Sequence, residues 1–133
     1  MLLKFLKRLY TFYGSINFVY DESHRYYGST VMRGEQLSKI TQKALKRRVY
    51  FSSTDYQYKN CTLFLTKWAI NTLCVEEFEK LKVGQNKLIF DVLDGRLPSN
   101  KILFADTVVA ASRTIYQEYK RTLPKSIKIA LVD

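Results

Sequence analysis

The chain is predicted to fold as an α/β protein: a doubly wound, mostly parallel six-stranded sheet with helices on both faces, preceded by a short amphipathic helix. Three observations carry the prediction. The runs 87–93 and 104–111 are apolar without strict alternation, as in strands covered on both faces. Such runs alternate with stretches whose apolar residues recur every three or four positions, which argues for βαβ units with right-handed crossovers. The third is bulk: 133 residues, 47% of them hydrophobic, suffice for one domain with a sizeable core.

Residues 1–14 read as a basic amphipathic helix and 15–133 as the single domain. Leu2, Leu6, Leu9 and Tyr13 lie to one side of residues 2–13, with Lys4, Lys7, Arg8 and Thr11 opposite, and Gly14 and Ser15 end the pattern. Residues 15–21 form the first expected strand, followed by a polar, glycine-bearing loop over 22–29. A helix follows over 30–46, with Ser29 or Thr30 placed to cap it. Residues 48–53 and 61–66 are strands two and three, separated by a polar loop over 55–60. The helix 68–82 carries Ile70, Leu73, Cys74, Phe78 and Leu81 at helical period, and Gly84 stops it. Strand four spans 87–93, and Pro98 marks 95–101 as loop. Strand five (107–111), a helix (113–122) and strand six (127–132) complete the order; one long helix over 102–123 is the competing reading.

Composition narrows the class. The net charge is +10, and residues 1–60 hold eleven Lys/Arg against four Asp/Glu, whereas 61–133 hold eleven against eight. A basic half points to an anionic partner: lipid surface, phosphate-bearing ligand or nucleic acid. No recognised nucleic-acid motif is present, so that class is disfavoured, although Tyr26, Tyr27, Tyr56 and Tyr58 near Arg25 and Lys59 offer stacking surfaces. Cys61 and Cys74 fit no metal or redox spacing and read as buried thiols. No run reaches the roughly 18 apolar residues of a bilayer span, and Lys4, Lys7 and Arg8 interrupt any secretory signal. A cytoplasmic protein is expected, with residues 1–13 available for peripheral docking on an anionic membrane.

Three short patterns resemble the N-terminal, acceptor-side, Rossmann-like half of a GT-B fold glycosyltransferase. They are Ser-Thr-Val-Met-Arg-Gly-Glu-Gln at 29–36, the apolar strand ending in Asp91-Val92-Leu93-Asp94-Gly95, and Phe-Ala-Asp followed by an aliphatic strand and Ser112. The resemblance covers about residues 15–133. It implies an acceptor-binding half that works with a second, donor-binding domain or a partner chain. The nucleotide-sugar donor is expected only with that second unit, and no tightly bound cofactor or metal is expected here. The first loop departs from the family pattern, having only Gly28 and Gly34 where many members carry a tight Gly-x-Gly.

The resemblance singles out His24 as a base for the acceptor hydroxyl, with Asp21 or Asp94 orienting it; an ordinary exposed loop histidine is the plain alternative. Arg33 and Gly34 stand near the first turn of the helix after strand one, with Gly28 in the loop before it, where phosphate or acceptor would meet backbone N–H groups and a guanidinium. For Arg33 the alternative is a solvated surface role, and for Gly34 close approach to another element. Asp94, Gly95 and Ser112 lie at strand exits as acceptor contacts; a simple Asp-Gly turn and a helix cap are the alternatives.

Overall fold

A computed structural model describes residues 2–92 and 96–132. Six strands form one all-parallel sheet: β2 (Ile16–Tyr20), β3 (Val49–Ser53), β5 (Thr62–Leu65), β6 (Lys87–Phe90), β7 (Thr107–Ala110) and β8 (Lys128–Leu131). Their spatial order is β3-β2-β5-β6-β7-β8, every neighbouring pair parallel. The doubly wound, Rossmann-like expectation therefore holds. The chain first winds outward from β2 to β3 and then advances the other way from β5 to β8. The reversal lies between β2 and β5, and crevices in such sheets open there, beyond the carboxyl ends of the strands.

Strand register sorts the core. Val19, Leu65 and Phe90 share one row and one face, while Phe18, Phe51, Phe64 and Ile89 point to the other. The first face carries α4 (Lys67–Thr72), α5 (Val75–Val83) and α6 (Arg113–Thr122), with Phe78 against Phe90 and Phe104. The second carries a continuous helical segment over 28–44: α2 (Gly28–Thr30), a π-helical turn (Val31–Gln36) and α3 (Leu37–Ala44). It packs closely because Gly34 has no side chain; a Cβ there would lie 2.7 Å from Phe51 Cε1 and 3.2 Å from Thr66 Cγ2.

Several local expectations are corrected. The first helix, α1 (Leu2–Leu9), stops short because Thr11, Phe12 and Tyr13 become β1. β1 pairs in parallel with β4 (Gln57–Lys59), which lies inside the expected polar loop. β3 ends beside the carboxyl end of β2 and β5 begins beside its amino end, so this ribbon must return along the sheet. Tyr58 fastens it: its hydroxyl lies 2.8 Å from Ser52 Oγ and donates to the Ser53 carbonyl at 2.6 Å. The helix after β2 starts at Gly28, capped by neither Ser29 nor Thr30. The helix expected over 68–82 breaks at Leu73, because Cys74 adopts extended geometry and forms a reciprocal capping box with Glu77. Cys74 is consequently exposed rather than buried; Cys61 is buried, and both are free thiols. Residues 107–110 form a strand, with only a short 3₁₀ turn at Ile102–Phe104, which removes the long-helix alternative.

Candidate active site

The exits of β2 and β5 flank the reversal of the sheet and carry a cluster of Asp21, Ser23, His24 and Thr72. β2 ends at Tyr20, and a 3₁₀ turn over Glu22–His24 brings the histidine back onto Asp21. His24 Nδ1 lies 2.5 Å from Asp21 Oδ2. A carboxylate only accepts, so Nδ1 carries the proton and Nε2 is left to accept one. No bond to Nε2 is formed among the described residues. Ser23 Oγ donates to the same carboxylate at 2.5 Å, and Thr72 Oγ1 donates to Asp21 Oδ1 at 3.2 Å. Burial pushes the Asp21 carboxyl upward, but the hydrogen bonds from Ser23, His24 and Thr72 outweigh it and hold the group below its ordinary value. Asp21 is thus ionised at neutral pH and fixes the imidazole in one tautomer.

Aromatic walls fix the ring plane. Trp68, on the first turn after β5, stacks on His24 at 4.3 Å and 4°, and Tyr27 meets the same ring edge-on at 4.7 Å. A side chain from each strand exit therefore spans the switch point. Gly28 begins its helix next to α4, beside this pair.

Asp21 and Thr72 also line the mouth of a groove of about 1010 Å³ between the β1/β4 ribbon and α4–α5. Its floor is apolar (Val19, Leu63, Leu65) and its rim polar, with Asp55, Glu77 and Lys80. The buried floor presents little surface, so a ligand in this groove would meet mainly polar and charged groups, Lys4, Arg8 and Lys59 among them.

The other expected positions disperse. Arg33 sits in the π-helical turn and donates from Nε to Asp91 Oδ2 at 2.7 Å, so its charge is satisfied inside the protein. Burial raises the Asp91 carboxyl although Arg33 opposes the rise, and Asp91 Oδ1 has no partner among the described residues. Gly34 faces Phe51, so the close approach it permits is to the sheet. Ser112 Oγ accepts from Ile115 N at 3.2 Å, capping α6, and leaves a strand three places from β2, about 14 Å at the usual strand spacing. Asp94 and Gly95 lie outside the described residues. Tyr58 is buried in the core and offers no stacking face for nucleic acid.

Sequence reasoning missed Ser23, Thr72 and Trp68. Ser23 stood in plain view between Asp21 and His24. Trp68 and Thr72 required knowing that β5 lies beside β2, which no local pattern encodes. Comparison of the chain with protein-family models, with curated proteins and with solved structures returned no match.

Proposed function

We propose that this chain is the acceptor-binding half of a glycosyltransferase acting at the cytoplasmic face of a membrane, in glycan or lipid-linked glycan synthesis. The single observation that carries the reading is the Asp21–His24 pair at the topological switch point, whose carboxylate residue, though not its histidine, lines the groove. His24 Nε2 takes the proton of an acceptor hydroxyl while that oxygen bonds to the anomeric carbon of the donor sugar. The bond to the nucleotide phosphate breaks, and its electron pair leaves with the nucleotide. Asp21 stabilises the imidazolium as it forms, as an orienting carboxylate does in other histidine-based catalysts. The donor is supplied by a second domain or a partner chain, as the resemblance implies.

Trp68 is the only tryptophan, and it stacks on the proposed base, so its fluorescence reports on this site directly. Titration with glycan or lipid-linked acceptors should change that emission saturably. A response to nucleotide sugars and none to acceptors would assign the chain to the opposite half and refute the proposal. With a donor-binding partner added, His24→Ala should reduce transfer by about 10² or more, and unchanged transfer would remove His24 as the base.

A further inference from the structure

The amphipathic helix α1 is mounted the wrong way round for a helix that serves its own core. Its cationic side faces the domain: Lys7 donates to Glu22 at 3.3 Å, Lys4 lies 4.0 Å from Asp55, and Gln57 donates to the Arg8 carbonyl. Its apolar side faces outward, with Leu2 71%, Phe5 59% and Leu9 66% exposed and no buried residue in the helix. Beyond its end, Tyr10 and Tyr13 are also exposed, and Arg48 and Lys59 border them.

We infer that this face docks on an anionic lipid surface. Five outward apolar side chains on eight residues make a stripe about 12 Å long, and an interfacial helix sinks such a side about 5–10 Å into the headgroup–acyl boundary. Tyrosines at its margin suit the headgroup layer, where an apolar ring and a polar tip are both satisfied. Arg48 and Lys59 add attraction to acidic headgroups, about fivefold in partitioning per cation close to the surface. Charge selects lipid over a second copy of the chain: each copy carries +10, so self-association through this face opposes like charges, whereas an anionic bilayer attracts them. No helix among the described residues is long and apolar enough to cross a membrane, so the contact lies on the surface. This inference concerns the α1 surface alone and stands whatever chemistry His24 performs.

Sedimentation of the full chain with phosphatidylcholine vesicles, with and without about one third phosphatidylglycerol, tests it. Binding should be about tenfold or more tighter with phosphatidylglycerol and should weaken with salt. The Leu6→Gln/Leu9→Gln variant should lose at least about tenfold while keeping its circular dichroism and melting temperature, since both side chains are exposed and Gln is a good helix former. Arg48→Gln/Lys59→Gln should reduce binding to anionic vesicles only. Equal binding to both vesicle types, or none to either, overturns the inference. So does a dimer in analytical ultracentrifugation that dissociates on Leu6→Gln/Leu9→Gln, which would show the face covered by a second copy.

Discussion

Asp21 and Asp91 are both carboxylates at strand exits, yet their surroundings drive them in opposite directions. Three donors hold Asp21 ionised, and its folded-state pKa lies below that of the unfolded chain. The folded protein then binds fewer protons, so this contribution is present above the ordinary value of 3.8 and is lost as pH falls through the lowered one. Asp21→Asn should cost about 1 kcal/mol at about pH 7 and progressively less as pH falls below 3.8, read from urea unfolding across that range. An equal loss throughout would show that the charge is irrelevant. Asp91 has the reverse sign: burial raises it, so ionisation costs stability as pH rises, and Arg33 compensates. Its side chain is fully buried, so removing the cation strands a carboxylate. Arg33→Ala should therefore cost about 3 kcal/mol, and Arg33→Ala/Asp91→Asn should recover much of that. If the double variant is no better than the single, the loss comes from packing of the Arg33 stem instead.

Helices and strands were legible in the sequence to different depths, and the reason is physical. The α6 helix has a serine cap, a clear period and a basic last turn, all local signals, and its bounds are those read from the sequence. The parallel strands announce themselves because both faces are covered. By contrast, β4 is three residues whose place depends on Tyr58 reaching Ser52 and on pairing with β1, neither of which is local. The break before α5 rests on a cysteine acting as a cap, a role for which its side chain is seldom chosen. Of the candidate site, Asp21 and His24 could be paired from spacing alone, while their aromatic wall needed the strand order. Gly34 shows how element packing overrides propensity. Alanine in a helix normally gains about 1 kcal/mol over glycine, but here the new methyl would meet the Phe51 ring at 2.7 Å. That ring is already stacked on Tyr20 and covered by the Arg25 guanidinium, which leaves it little room to turn. Overpacking should win: Gly34→Ala is expected to destabilise by about 1–3 kcal/mol, read as a lower melting temperature. A rise would mean that the ring yields.

At the scale of the whole molecule, α1 reaches the carboxyl end of the sheet through Lys7 and Glu22, while Tyr13, Arg48 and Lys59 lie toward its amino end. Lys7 of α1 is paired with Glu22, within the turn that delivers His24, which sets the helix beside that turn. A protein docked through α1 would hold the groove mouth near the headgroup layer, where a lipid-linked hydroxyl is presented. Two groups expected to meet ligand are already engaged: the Arg33 guanidinium by Asp91, and Ser112 as a helix cap. If the donor is held by a second unit, as proposed, this chain by itself should bind nucleotide sugars more weakly than about 1 mM. Titration followed by backbone amide shifts would show small, salt-sensitive movements spread over basic surfaces rather than saturation at one site. Saturation at micromolar donor, centred on the β2 and β5 exits, would instead place nucleotide in the crevice and overturn the acceptor-side proposal.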